Sequence, residues 1–427
     1  MQTDELGGLE AAREALARER LEELQALART YRNWSVKELA HALGRQPGRL
    51  VPDSGMPKID LVVGLAKALD WPVEAVVDHL MKPAGEGRRA APTHDTAADY
   101  KRLYNEALAC NARREYAEAI RLAVRAGAVA DNPTRRAASL SLEAFSHEAG
   151  GSYVEAVRCL REAIRIEGVA LNWRLLHDAR LANTLFMQGH TTQAIGIASS
   201  VLDYITTVES DDVTLRSANL VALWARAQSL RTSVPLANFE PWRPIAQSAR
   251  DQFARAAQIS DELAESPGFS ASNNIMSGSI GLICLELDAV CDAERVDDAL
   301  EQLVAVVREG AGGGPTAGEG KAWAAIALAN TTKRFVRDEI KQRGLLEFAS
   351  ATLRAHAVAT NNWYFAHRHL QLDAERRRSL VDRGCASRAL DATEARLVAG
   401  VLGQIPAARG EASMYFDLYA ATEGGRP

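Results

Sequence analysis

A short segment that returns three times constrains this chain more than any other feature. Arg114-Glu115-Tyr116-Ala117-Glu118-Ala119-Ile120 reappears as Gly151-Ser152-Tyr153-Val154-Glu155-Ala156-Val157 and, more loosely, as Gly189-His190-Thr191-Thr192-Gln193-Ala194-Ile195. The marker alanines 119, 156 and 194 lie 37 and 38 residues apart. Twelve residues before each marker stands Ala107, Ala144 or Ala182, and seven residues after it stands Ala126, Ala163 or Val201. Strand formers are sparse while Ala, Leu, Glu and Arg dominate, a composition that favours helix. At 427 residues the chain exceeds what one hydrophobic core supports, so several domains or a repeat array are expected.

This pattern resembles the tetratricopeptide repeat, whose small residues let the two helices of a hairpin pack closely and whose aromatic fills the turn. The resemblance is clear over residues 97 to 205 and fades afterwards, although Glu294-Arg295-Val296-Asp297-Asp298-Ala299-Leu300 keeps the marker alanine. Helical periodicity continues through Ser217–Leu230, Ile245–Leu263, Ile280–Val307, Ala322–Phe348 and Asp391–Leu402. About six hairpins are expected, stacked into a right-handed α-solenoid with an internal groove, because each hairpin leaves one apolar face uncovered. Thr232–Pro244, with its prolines, and Glu309–Gly320, rich in glycine, read as loops.

The prolines and glycines of Lys82–Thr93 form a linker. They divide a head, 1–81, from an array, 97–427, with 82–96 between them. In the head, Leu9, Leu16, Leu21, Leu24, Leu27 and Tyr31 predict an amphipathic helix over about 9–32. Ser35 and Glu38 form a capping-box pattern opening a helix that stops at Gly44. Further apolar runs begin at Ile59 and Pro72. The order Ser35–Gly44, Ser54–Asp60, Leu65–Leu69 resembles the lambda-repressor-like, XRE-type helix-turn-helix family, in which Ala40 would sit under the crossing second helix. Pro47, Gly48 and Pro52 oppose a full helix at the recognition position.

Charge patterning bears on what the head touches. The whole chain carries a formal net charge of -5, whereas residues 29–69 carry a local excess of +4. That excess suits phosphate contacts. If DNA is read, Arg45, Gln46 and Arg49 are placed for base edges and Lys37 and Lys58 for phosphates. The same charges would equally solvate a head that docks protein, and the acidic leading helix favours that alternative. A helix-turn-helix head before tetratricopeptide-like repeats is similar to bacterial peptide-sensing transcriptional regulators. The resemblance implies an array that holds a peptide or protein partner through asparagine amides, which both donate and accept. Asn183, Asn219 and Asn330 are the candidates, with Arg180 one turn from Asn183 to meet a carboxylate. Each could also be an ordinary solvated position or local cap. A homodimer is expected, since two heads suit a two-fold site.

Catalysis finds no pattern: GxSxG, HExxH and a dinucleotide fingerprint are all missing from the sequence. Gly314–Ala322 imitates a phosphate loop but has Pro315 for the first glycine and Ala322 for the metal-binding hydroxyl. His367 and His369 fall on different helix faces. Cys284 and Cys291 share one face of an apolar helix as core thiols, and all five cysteines lack a CxxC pair. A non-enzyme without cofactor or metal is therefore expected. The charged N-terminal stretch and the lack of a long apolar run predict a cytoplasmic protein.

Overall fold

The computed structural model describes residues 17–26, 28, 29, 32, 34–52, 57–69, 73, 76, 77, 80, 96–208, 212–264, 274–309, 317–382 and 391–411. Among these residues the fold is all-α, with no strand. No helix is long and apolar enough to cross a membrane. Contacts divide the chain into two units, Met1–Thr93 and His94–Pro427. The expected linker lies outside the described residues except Thr96, which opens a helix.

In the first unit, described residues between 17 and 32 are helical, followed by α1 (Val36–Ala42), a 3-10 turn (Pro47–Arg49) and α2 (Ile59–Leu69). Ser35 and Glu38 form the reciprocal capping box. Gly44 turns left-handed at φ 61°, so the Arg45 amide closes α1 onto the Ala40 carbonyl at 2.8 Å. Leu21, Leu24 and Ala28 bury against Leu39, Ala40, Leu61, Leu65 and Leu69 in one small core. Gln25 Nε2 donates to the Leu50 carbonyl at 2.8 Å, and Arg32 Nε to that of Ala68 at 2.8 Å. Leu9, Leu16, Leu27 and Tyr31 lie outside the described residues.

Among the described residues the second unit contains seven helical hairpins, one more than periodicity suggests. They are α3/α4 (Thr96–Ala112, Tyr116–Val129), α5/α6 (Pro133–Ala149, Tyr153–Arg165), α7/α8 (Leu171–Met187, Thr191–Ile205) and α9/α10 (Val213–Ser233, Arg243–Ala264). The remainder are α11/α12 (Asn274–Cys291, Val296–Glu309), α13/α14 (Ala317–Phe335, Glu339–Thr360) and α15/α16 (Trp363–Asp382, Ala392–Gln404). The repeat is a turn device. Arg114, Gly151 and Gly189, each five residues before a marker alanine, have φ of 63°, 84° and 82°. The next amide reaches back across each turn, Glu115 to the Cys110 carbonyl, Ser152 to His147 and His190 to Leu185, at 2.7–2.9 Å. The helices so reversed touch through alanine: residues 107, 119, 126, 144, 156, 163, 182 and 194 are at most 1 % exposed.

Three boundaries differ from the periodicity. The runs Ile280–Val307 and Ala322–Phe348 are each two helices, broken at Asp292 and Asp338, whose carboxylates accept from Glu294 N and Lys341 N. The apolar stripe continues across both breaks, while short polar caps decide where the helices stop. The reading of Glu309–Gly320 as a loop is too long, because α13 begins at Ala317. Ala317–Gly320, the second half of the would-be loop, are therefore already helical and cannot wrap a phosphate, which removes the phosphate-loop likeness.

The array closes upon itself. Tyr153 Oη donates to Asn362 Oδ1 at 2.9 Å, and the Val154 amide to Gln404 Oε1 at 3.3 Å, bridging 209 and 250 residues. The Phe186 ring meets Tyr364 at 5.3 Å, while Trp323 sits among Trp224, Tyr364 and Phe365 at 5.1–5.6 Å. Beside these rings lies a buried charge cluster. Arg231 Nε and Arg334 Nη1 donate to opposite oxygens of Glu286, at 2.9 and 2.6 Å, and all three side chains are at most 2 % exposed. Arg334 also donates to the Val234 carbonyl at 3.1 Å, and Asn330 Nδ2 to Glu286 at 3.1 Å. Burial alone would raise the Glu286 carboxyl, but Arg231 and Arg334 outweigh it and hold it below the ordinary range.

At Gly168, φ is 76° and an added Cβ meets only Pro133 at 3.4 Å, so Gly168→Ala costs about 1 kcal/mol of backbone strain. At Gly151 the added Cβ also strikes the Asn361 carbonyl and the Trp363 ring, so Gly151→Ala costs roughly 2–4 kcal/mol, read by denaturant unfolding. Glu286→Gln strands two buried guanidinium groups and costs about 3 kcal/mol or more at pH 7. Because the folded pKa is lowered, Glu286 contributes fully above the ordinary glutamate range and loses that contribution as pH falls through the folded value. The gap between wild type and Glu286→Gln therefore closes on acidification, measured as unfolding free energy from pH 7 downward.

Candidate ligand-binding site

The four array residues singled out by sequence go to three places. Asn330 belongs to the buried charge cluster: its amide donates to Glu286 and its Oδ1 accepts from Arg368 Nη2 at 3.2 Å. Both ends of its amide are thus engaged by the protein itself.

Arg180 and Asn183 come together on α7, facing α5. Arg180 Nη1 donates to Ser141 Oγ at 2.7 Å, and Asn183 Nδ2 to Glu148 Oε1 at 3.0 Å. Thr184 Oγ1 donates to the other Glu148 oxygen at 2.6 Å. Among the described residues Arg180 makes no ion pair within 4.0 Å. Burial lowers its pKa, the opposite of what a paired guanidinium shows. Burial likewise raises the Glu148 carboxyl, against the Thr184 hydrogen bond and the Arg180 charge, and Glu319 on α13 adds repulsion. One turn before Arg180, His177 is buried with neither ring nitrogen hydrogen-bonded, and burial lowers it to about 3. Asn183 Oδ1 is also buried without a partner.

Asn219 lines a different feature, a cleft of about 620 Å³ between α8, α9 and α10. Asn219, Leu223 and Arg226 form its floor at i, i+4 and i+7 of α9, with Asp203 and Thr206 on one wall and Gln247, Asp251, Gln252 and Arg255 on the other. Gln247 Nε2 donates to Asp251 Oδ1 at 2.8 Å, and Gln252 Nε2 to Ser248 Oγ at 3.1 Å. Two residues lining this cleft each carry a buried atom without a partner: Arg226 Nε, a donor, and Gln252 Oε1, an acceptor. Sequence reasoning missed both residues. The spacing of seven from Asn219 to Arg226 was available on one helix, whereas Gln252 meets them only through the packing of α10.

In the head, Lys37, Gln46 and Lys58 are exposed. Arg45 is occupied, since its Nη2 pairs with Asp60 Oδ2 at 2.8 Å. Arg49 ends the 3-10 turn, and its side chain lies outside the described residues. Between Ala42 and Ile59 the described residues contain that single turn and no α-helix, consistent with Pro47 and Gly48 opposing one.

The remaining candidates separate. His369 Nδ1 shares a hydrogen with Ser350 Oγ at 2.8 Å, and His367 Nε2 faces Glu411 at 3.2 Å. Cys284 and Cys291 are free, half-buried thiols packed against the main core, Cys110 and Cys159 are free and buried, and Cys385 lies outside the described residues.

No family model matches the chain, and no curated protein matches it. Among solved structures it is similar to Bacillus thuringiensis PlcR in complex with the peptide PapR7 and DNA, at 13% identity over 67% of this chain and 92% of that one, with a TM-score of 0.35. It is also similar to a Rap protein complexed with competence and sporulation factor, at 14% identity over 93% of this chain and 99% of that one, with a TM-score of 0.42.

Proposed function

We propose that the chain is a non-catalytic, peptide-sensing regulator whose repeat array receives an extended peptide segment in the cleft between α8, α9 and α10. The observation that carries this reading is the pair of buried, unpartnered atoms there, the donor Arg226 Nε and the acceptor Gln252 Oε1. A peptide backbone offers acceptors and donors that complement both groups, and each buried group left unmade costs about 1–3 kcal/mol. Asn219 adds an amide that both donates and accepts, and Arg255 adds a charge for an acidic side chain. The cleft volume lies within the range of about 300–1,000 Å³ usual for ligand sites. Arg180 and Asn183 form a second polar surface that could take a ligand carboxylate, since Arg180 has only a neutral hydroxyl for a partner.

In this reading the head passes the signal to DNA, with Lys37 and Lys58 on phosphates and Gln46 and Arg49 nearest base edges, in a homodimer reading a two-fold site. A second reading, in which the head docks protein, is favoured by the Arg45–Asp60 pair and the single 3-10 turn at the recognition position.

Selection from a displayed library of random heptapeptides tests the array. Wild type enriches a sequence class whose binding falls about tenfold or more in Arg226→Ala and Asn219→Ala, while Lys101→Ala on α3 leaves it unchanged. Equal enrichment on Arg226→Ala removes the cleft as the site. Selection of genomic DNA fragments at moderate salt tests the head. A palindromic site lost by the Lys37→Ala, Lys58→Ala double variant supports the regulator, and no enriched site supports the docking head.

A further inference from the structure

The second hairpin holds a feature that neither the cleft nor the head uses. Glu143 and His147 lie four residues apart on one face of α5, and Cys159 projects from α6 across the hairpin interface. One carboxylate oxygen, one imidazole nitrogen and the thiol sulfur lie within 4.8 Å of one another. Cys159 Sγ is 3.3 Å from Glu143 Oε1, and His147 Nε2 is 3.8 Å from the same oxygen. The second distance is too long for a hydrogen bond, although the two groups face each other. It suits two ligands on a common ion. Zn–N and Zn–O bonds of about 2.0–2.1 Å and Zn–S bonds of about 2.3 Å put tetrahedral ligand atoms roughly 3.3–3.6 Å apart. Closing the ring of three asks mainly for the His147 nitrogen and the Cys159 sulfur, at most 4.8 Å apart, to approach by about an ångström or less through side-chain rotation.

We propose that Glu143, His147 and Cys159 form a binding site for a zinc-class divalent cation, with the fourth position left to water. Thiolate, imidazole and carboxylate together match a borderline-soft ion, and the two anionic ligands neutralise its charge. Burial and the neighbouring Glu143 hold the Cys159 thiol protonated in the metal-free protein, so binding forms a metal–sulfur bond and releases that proton to solvent. Arg158 is the competing cation, at 3.6 Å from Glu143 Oε1 and 3.5 Å from Cys159 Sγ. It is 42 % exposed and already pairs with Glu155 at 2.7 Å and Glu162 at 3.4 Å, so it can yield to the metal without losing its partners. The ion would tie α5 to α6 beside the turn in which the His147 carbonyl accepts from Ser152, the same turn whose Gly151 rests on Asn361 and Trp363. Sequence spacing concealed this site because its ligands come from two helices and include only one cysteine.

Titrating the reduced, metal-free full chain with Co²⁺ tests the site through the near-ultraviolet thiolate-to-cobalt absorption and the intense visible bands of a four-coordinate ion. One equivalent is expected to develop both, and Zn²⁺ to abolish them by displacement. Cys159→Ser and His147→Ala, each checked for native helicity by circular dichroism, lose the thiolate band or the four-coordinate spectrum respectively, whereas Cys284→Ser retains both. Failure of the wild type to develop the thiolate band, or its survival in Cys159→Ser, overturns the proposal.

Discussion

One buried carboxylate sets the terms for the C-terminal half of the array. Glu286 on α11 lies between Arg231 of α9 and Arg334 of α13, so three successive hairpins share a single anion. The cluster carries one more cation than anion, and that arrangement is tolerable only because its spare donors are used. Arg334 turns to the Val234 carbonyl, where the chain leaves α9, and Arg231 Nη1 to Gln228 at 3.0 Å. Apolar residues of similar volume could fill the same space at no loss of stability. The value of the charges lies instead in register, since a guanidinium fork accepts a carboxylate in few orientations and the helices carrying them cannot slide. A related knot recurs where Arg377 bridges Asp373 and Glu394, at 2.6 and 3.2 Å, to join α15 to α16.

Register matters because the array does not end freely. The turns before α6 and α8 meet residues from Asn361 to Ala407, so errors in hairpin stacking would accumulate into a misfit there. Gly151 and Gly189 serve two needs at once. Each supplies the left-handed residue that reverses the chain, and each leaves room for the closing segment where a Cβ would collide, with Asn361 in one case and Ala407 in the other. Arg114 fills the same turn position in the first hairpin with a side chain at φ 63°, bearing the backbone cost, and its charge acts on Glu319 of α13 and His356 of α14.

These features were unequally legible. The turn and its alanines are local, and a period of 37–38 residues exposes them because the same short-range geometry is required each time. Helix ends at Asp292 and Asp338 were hidden by apolar stripes that stay nearly in phase across the break, so only the cap hydrogen bonds show the interruption. The role of Asn330 was not legible at all. Its partner Glu286 lies 44 residues away, and nothing in the neighbouring sequence of an asparagine distinguishes an amide facing a ligand from one facing a buried carboxylate. The head shows the converse: Pro47 and Gly48 in sequence already opposed a helix, and a 3-10 turn is what that segment forms.

Closure also decides where a partner can be received. The rings of Phe186, Trp224, Trp323, Tyr364 and Phe365 are each at most 6 % exposed, and they pack against one another, tilted or edge-on, where an open solenoid would leave room for a ligand. Displacing them would surrender several kcal/mol of buried aromatic surface before any contact with a ligand began. A polar cleft between outer helices has no such barrier. Arg226 and Gln252 beside it each hold a desolvated, unpaired atom, so in the proposed reading that cost is carried by the free protein and recovered on binding a peptide. The proposed site at the flank therefore asks less of an array held shut by its own aromatic core than a site at its centre would.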